Sequence, residues 1–383
     1  MTTQLLKLAD TPVDQFMQED WHIRPRLFKN AIPDFEAVCD LETVFEMASD
    51  EDIESRLIQR DGQNWSLVHG PFEALPSLEQ PNWTVLVQGI DHHLPEAYDL
   101  LQLFRFIPDA RLDDIMLSLA SHGGGVGPHY DSYDVFLLQM HGKRRWKIGP
   151  LTDSTLKKDA PLKILEHFTP TEEFLLEPGD MLYLPPNYGH DGVAEGVCTT
   201  LSIGFRALNK AEVVSGILHD FADRIQSDET LKKQLFSDPG RGLQSRPANL
   251  PDDLIEFALT LMREFKPGED EIAVSLGKML TEPKPIVYYE NNTEDMTIEE
   301  IRHTLIERGI ALSMKTRMLV GKTSVFINGE CVKPKRKETY EFLSNLANSR
   351  QLEPKEVNSA FVNEEAAFFV IGFAKAGWID TLF

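Results

Sequence analysis

Three side chains of this sequence have the types and the spacing to hold one metal ion. His129-Tyr130-Asp131 sets an imidazole and a carboxylate at i and i+2. Residues two apart on a strand point to the same face, so both can converge on a single ion. A third ligand must come from elsewhere in the chain, and His190 is the best placed. It follows the turn Glu177-Pro178-Gly179-Asp180, the apolar run Met181-Leu182-Tyr183-Leu184 and the stiff Pro185-Pro186. That separation leaves room for intervening strands to fold back beside the first. Two histidines and one carboxylate occupy one triangular face of an octahedral iron(II), leaving positions open for a bidentate 2-oxo acid and then O2. A structural zinc site would instead close its coordination with four protein ligands. His92, His93 and His141 have no comparable setting and read as surface or packing residues.

A second chemical signal lies in Arg144. Alternation puts Arg144, Trp146 and Ile148 on one face, and Arg145 and Lys147 on the solvated other. A guanidinium sharing an apolar face is costly unless a carboxylate pairs with it. That carboxylate is either an internal Asp or Glu, or the C5 carboxylate of 2-oxoglutarate in a charge-assisted contact. Taken beside the metal triad, the co-substrate is the better partner. Asp114, Met116 and Ser118 likewise share one face of the strand leading into Gly123-Gly124-Gly125. If that face lines the cavity, Ser118 can bond the co-substrate and Asp114 can meet a cationic substrate side chain; otherwise Ser118 is an ordinary buried hydroxyl. Thr200 and Ser202 are weaker candidates for the same cavity.

The elements that must position these groups are short strands. Apolar runs at 115–120, 135–140, 146–148, 181–184 and 200–205 are separated by Gly and Pro turns, which indicates a sandwich or barrel. No βα alternation is sustained, against a doubly wound sheet. Met140-His141-Gly142-Lys143 reads as a turn, with 144–148 as the returning strand. Before this region, 40–59 reads as helix. After it, 211–226 and 254–265 carry apolar stripes at helical spacing, 247–252 is a loop, and 281–292 is a linker. Helices at 298–308, 338–347 and 364–376 then surround strands at 318–320 and 324–327, the latter ending at the hairpin signal Asn328-Gly329.

The chain has 383 residues, long enough for two or three domains. Its 61 acidic and 38 basic side chains give a net charge of −23, which opposes a nucleic-acid backbone and either suits a cationic protein partner or serves solubility alone. Lys333-Pro334-Lys335-Arg336-Lys337 is a local basic exception that reads as an exposed loop. Cys39, Cys198 and Cys331 form no CxxC pair, against a disulfide framework or zinc site. The first twenty residues lack the pattern of a signal peptide, and no stretch has the length of a membrane span. The expected location is the cytoplasm.

Taken together, these segments resemble the Jumonji-C branch of the cupin-like oxygenases, and most closely the bacterial ribosomal oxygenases that hydroxylate an arginine of a large-subunit ribosomal protein. The resemblance rests on His69-Gly70-Pro71-Phe72, on the run from Gly123 through His129-Tyr130-Asp131 to Phe136, on Gly142-Lys143-Arg144-Arg145-Trp146, on Pro178 through Pro186 to His190, and on Gly204-Phe205-Arg206. It implies an α+β fold with a double-stranded β-helix (jelly-roll) catalytic domain over 1–207. A helical dimerisation region over 208–285 and a winged-helix-like domain over 286–383 would follow. It also implies Fe(II), with 2-oxoglutarate and O2 as co-substrates, His129, Asp131 and His190 as iron ligands, and Arg144 and Ser118 on 2-oxoglutarate. Asp114, Tyr133 and Asp134 are candidates for the substrate pocket from their proximity to the triad. The activity implied is hydroxylation of an arginine β-carbon in a basic ribosomal protein by a homodimer. Three alternatives stand beside it: a histidine hydroxylase, a methyl-lysine demethylase, or a non-catalytic metal-binding cupin whose C-terminal domain reads nucleic acid.

Overall fold

In the computed structural model, nine strands of the N-terminal half form one antiparallel sheet. The structure describes residues 5–62, 64–243 and 245–382; the outermost limits of the expected domains, residues 1 and 383, lie outside them. Apart from a two-residue pairing near the N-terminus, the strands are β1 (Arg26–Phe28), β2 (Ser55–Asp61), β3 (Asn64–His69), β4 (Trp83–Val87), β5 (Leu112–Ala120), β6 (Asp134–Pro150), β7 (Glu172–Leu176), β8 (Met181–Leu184) and β9 (Tyr188–Phe205). Their order is β1-β8-β6-β9-β5-β4-β2-β3, with β7 pairing β6 off this path.

The period of two decides which residues face which layer. Ile115, Leu117 and Leu119 of β5, Phe136 and Leu138 of β6 and Leu201, Ile203 and Phe205 of β9 turn toward one core. There they meet Val44 and Met47 of the helix Leu41–Ser49 and Leu100 and Leu101 of the helix Pro95–Gln102. Rings of Phe16, Phe104, Phe136, Phe205 and Tyr183 close this layer, with Phe16 edge-on to Tyr183 at 4.9 Å. Such pairs add about 0.5–1.5 kcal/mol each beyond the area they bury. The opposite set, Val135, Leu137, Trp146, Ile148, Leu176, Leu182 and Leu184, forms a second core. That alternation leaves Asp114, Met116 and Ser118 on the side away from the helices.

Two sequence expectations are corrected here. Residues 40–59 are not one helix: the helix stops at Ser49, and Ser55–Asp61 is a strand paired on both edges, with Ile58 fully buried. Tertiary pairing overrides a helical spacing that the sequence carries only weakly. Nor is there a turn at 140–143. The strand β6 runs through it without a break, bending at Gly142, whose φ is +61°. A Cβ there would lie 2.2 Å from the Val197 carbonyl oxygen, so only glycine lets the two strands approach. Opposite it the register of β9 shifts between Glu195 and Thr199, a bulge that bends both strands together.

The chain divides into two compact units. The first joins Met1–Ala207 to Lys284–Thr316 and Asn348–Phe383; the second joins Leu208–Pro283 to Arg317–Ala347. Residues 286–383 therefore contribute to both. Within the first unit lie the helices Ile298–Arg308, Pro354–Ala360 and Glu364–Lys375. In the second, the helices Lys210–Ser227 and Glu269–Thr281 pair through Asp220, whose carboxylate receives Lys278 and Ser275. A three-stranded sheet, Met318–Val320, Val325–Ile327 and Glu330–Val332, turns at Asn328-Gly329, both at positive φ. Among the described residues no helix is long and apolar enough to cross a membrane.

Candidate metal centre and co-substrate anchor

The His129 and His190 segments are tied to each other by backbone. His129 N–H donates to the His190 carbonyl at 2.9 Å, and His190 N–H returns the bond at 2.8 Å. Asn187 N–H donates to the Asp131 carbonyl at 2.7 Å. His129 and Asp131 thus do not lie in a strand of the sheet, as the i, i+2 spacing suggested. They sit on an extended segment held by this bridge, while His190 belongs to β9.

The three side chains converge. One ligating atom from each of His129, Asp131 and His190 lies within 4.8 Å of the others, with His190 Nε2 3.6 Å from Asp131 Oδ2. Each imidazole has its Nδ1 beside a carbonyl two residues back: Gly127 at 2.8 Å for His129 and Tyr188 at 3.0 Å for His190. A proton on Nδ1 donates there and leaves Nε2 with a lone pair for a metal, the usual way a ligand histidine is oriented. Burial first, then the neighbouring His129, lowers the His190 pKa, so its ring is a free base at neutral pH. The Trp146 ring, centred 5.8 Å from that of His190, walls the site. Gly192 permits this approach, since a Cβ would meet the Trp146 ring at 2.6 Å.

Arg144 and Ser118 are brought together. Arg144 is 4% exposed, and its Nη1 donates to Ser118 Oγ at 2.9 Å. Its Nε and Nη2 are buried without a hydrogen-bond partner, as is Trp146 Nε1. An unpaired guanidinium in this position is a strong demand for an anion. Ser118 also reaches the Thr200 carbonyl at 3.3 Å, and the Thr200 hydroxyl is taken by Gln139 at 2.9 Å.

The three substrate-pocket candidates fall in different settings. Tyr133 is 38% exposed; burial of its hydroxyl first, then the Asp131 and Asp114 charges, push its pKa well up. Asp114 is 4% exposed, and its Oδ2 accepts Gln88 Nε2 at 2.8 Å and Lys284 Nζ at 2.7 Å. Asp134 is fully buried and accepts from Tyr183 Oη at 2.6 Å, His22 Nδ1 at 2.9 Å and Arg111 Nη2 at 3.1 Å. That carboxylate ties the segment around Trp21 and His22 to the sheet. Neither Lys284, in a stretch that reads as linker, nor the His22–Asp134–Tyr183 network gives a signal in sequence, because the partners are far apart along the chain.

An antiparallel sheet carrying a His-Asp-His cluster beside a buried, unpaired arginine has the form of a cupin-like JmjC oxygenase. Comparison with known proteins agrees: a model of the JmjC domain matches residues 99–213. The ribosomal protein uL16 3-hydroxylase of Escherichia coli K12 is 38% identical over 257 residues, covering 65% of this chain and 67% of that protein. A probable ribosomal oxygenase of Haemophilus influenzae is 30% identical over 355 residues, 88% of this chain and 86% of that one. The structure of YcfD, an E. coli ribosomal oxygenase in complex with cobalt and 2-oxoglutarate, superposes with a TM-score of 0.78 at 26% identity, covering 98% and 99% of the two chains. The chain belongs to the ribosomal oxygenases of the JmjC, 2-oxoglutarate-dependent family.

Proposed function

We propose that this protein is an iron(II)- and 2-oxoglutarate-dependent hydroxylase acting on the β-carbon of an arginine in a basic large-subunit ribosomal protein. The observation that carries the reading is the juxtaposition of the His129, Asp131 and His190 cluster with the unpaired guanidinium of Arg144. The donor set of two imidazoles and one carboxylate fits iron(II) with open positions. The orphaned Nε and Nη2 of Arg144, with Ser118 beside them, fit the far carboxylate of a 2-oxo diacid. When bound, iron with 2-oxoglutarate and O2 supplies the oxidising chemistry, 2-oxoglutarate leaving as succinate and CO2.

This chain's own residues do the placing. His129, Asp131 and His190 hold the metal, with the Gly127 and Tyr188 carbonyls fixing the two rings. Arg144 and Ser118 would orient the co-substrate, and Trp146 walls the cluster beside His190. Asp114 and Tyr133 receive the substrate side chain; a carboxylate is the natural partner for a guanidinium. Nothing in the surroundings of Asp134 supports a place beside them, since its oxygens already accept three donors.

The same reading keeps 1–207 as the catalytic domain, 208–285 as the helical region joining two copies, and 286–383 as a winged-helix-like domain. Exposed Val214, Leu218, Leu259 and Met262 on the helices Lys210–Ser227 and Asp252–Glu264 support a homodimer. The net charge of −23 suits a basic protein substrate, and the cytoplasm is where one would be met. The test is incubation of iron-loaded protein with 2-oxoglutarate, O2 and a ribosomal protein extract, read by succinate and by mass spectrometry. One arginine should gain an oxygen atom at its β-carbon. Gain on a histidine, or release of formaldehyde, would overturn the arginine assignment.

A further inference from the structure

The carboxylate that would receive the substrate cation is already filled. Lys284 Nζ lies 2.7 Å from Asp114 Oδ2 and 3.2 Å from Asp113 Oδ1, and the lysine side chain is only 29% exposed. This is no wandering surface arm. Lys284 stands between Pro283 and Pro285, and a residue before proline is held to extended backbone. Its carbonyl also accepts the Val287 N–H at 2.9 Å, closing a turn. The cleft that holds the ammonium is lined by Gln88, Gly89, His92, Asp114 and Tyr288, and it continues the face of β5 that carries Met116 and Ser118. Arg56 joins the two, with Nη2 3.1 Å from Gln88 Oε1 and 3.8 Å from Met116 Sδ. Burial works against the lysine charge, and the Asp114 and Asp113 charges outweigh it, so the ammonium keeps its proton.

The bonds to Asp114 from Gln88 and from Lys284 both fall on Oδ2. Asp114 is therefore satisfied as a charge, and its second oxygen leaves room for another donor. We propose that Lys284 is a resident competitor for this site: its ammonium fills the cation position of the free protein and sets an affinity threshold that a guanidinium clears and an ammonium does not. The inference rests on the reading of Asp114 as the substrate-cation site.

The physics is an exchange. An incoming lysine ammonium offers a single point charge, the same as the group it displaces, so the exchange gains little. A guanidinium presents two parallel N–H groups and can engage Oδ1 as well as Oδ2, so the exchange gains a bond. The competitor weakens all cationic ligands by one common factor. It thereby sets which of them bind usefully, without altering their order.

The experiment measures binding to the full chain loaded with cobalt(II) and 2-oxoglutarate. Labelled peptides tiling uL16, the protein named for the E. coli relative, are titrated, and the tightest arginine peptide is remade with lysine or citrulline in place of that arginine. In Lys284→Met the arginine and lysine peptides should both tighten, by about tenfold as expected for a close charge contact, and the neutral citrulline peptide should change far less. Lys284→Arg, whose guanidinium can take the same second bond, should weaken the arginine peptide relative to wild type, and Lys284→Gln serves if the methionine variant melts early. Equal tightening of the citrulline peptide, or no tightening of the arginine peptide, overturns the proposal. Asp114→Asn separates the two ideas: if it leaves arginine-peptide affinity unchanged, the underlying assignment of Asp114 fails; if it weakens binding while the Lys284 variants do nothing, only the competitor fails.

Discussion

Replacing Arg144 by methionine should weaken 2-oxoglutarate and stabilise the ligand-free protein at the same time. The guanidinium is buried, has one bond to Ser118 at 2.9 Å and leaves Nε and Nη2 without partners. A co-substrate carboxylate accepting from those two nitrogens would form two charge-assisted bonds, each contributing about 1.5–3 kcal/mol. Losing both amounts to about 3–6 kcal/mol, or roughly a hundredfold to ten-thousandfold in Kd. In the ligand-free protein the sign reverses. An uncompensated buried charge costs several kcal/mol, and an apolar side chain of similar length removes that cost. A gain of about 1–3 kcal/mol would raise the melting midpoint by roughly 2–12 °C for a domain of this size. The 2-oxoglutarate Kd, measured by calorimetry with manganese(II) under anaerobic conditions, and a thermal melt of the metal-free protein give the two numbers. A Kd within threefold of wild type, or a melting midpoint that falls, would refute the reasoning, because Arg144 would then be a structural ion-pair member.

Other residues give separate checks. Asp131→Ala should abolish succinate formation and reduce metal affinity by at least about tenfold while the circular dichroism spectrum is kept; retained metal binding in equilibrium dialysis would displace it from the ligand set. Asp134→Ala leaves Tyr183, His22 and Arg111 without their shared acceptor, and should lower stability by about 3–5 kcal/mol in urea unfolding. Gly192→Ala drives a methyl group into the Trp146 ring, 2.6 Å away, and should weaken metal binding through the displaced His190. The Cys39 thiol, pushed up to about 11 by burial and then by Asp40 and Glu96, is protonated at pH 8. Its alkylation by iodoacetamide should run about a hundredfold slower than that of an unperturbed thiol and speed up as pH rises toward 11.

Much of the site was legible because it is local. His129 and Asp131 are two residues apart, the element before His190 is a turn, a short strand and two prolines, and Arg144 gave itself away by sharing a face with Trp146. Alternation along β5 put Asp114, Met116 and Ser118 on one side, and the Arg144–Ser118 bond agrees with that. What sequence could not show is long-range or geometric. The continuity of β6 through Gly142 depends on a bulge in β9 that forms only when the strands pair. The strand Ser55–Asp61 is decided by neighbours on both edges rather than by its own pattern. Asp134 reads as a pocket carboxylate from its distance to Asp131 along the chain, and becomes a buried tie because His22, more than a hundred residues away, folds onto it.

On the proposed reading, the distribution of charge along β5 explains why one strand can serve both ligands. Ser118 stands beside the buried cation Arg144, and Asp114, four residues earlier on the same face, stands in the acidic cleft with Asp113. Four residues of strand span roughly 13 Å, enough to separate an anion-binding end from a cation-binding end. A dicarboxylate drawn to Arg144 thus gains nothing at the Asp114 end, whose carboxylate is already paired with Lys284, and a substrate cation drawn to Asp114 is repelled from Arg144. On the proposed reading the two ligands cannot exchange places, and the strand's period of two sets that order before either arrives. Reversing the charge at one end, with Asp114→Lys, should therefore harm more than the substrate. It should also open a second anion position and make excess 2-oxoglutarate inhibitory, by about tenfold or more in Ki relative to wild type for a contact between close opposite charges. Steady-state rates against 2-oxoglutarate concentration decide it, since a simple hyperbola in the variant would mean that the two ends do not share one cavity.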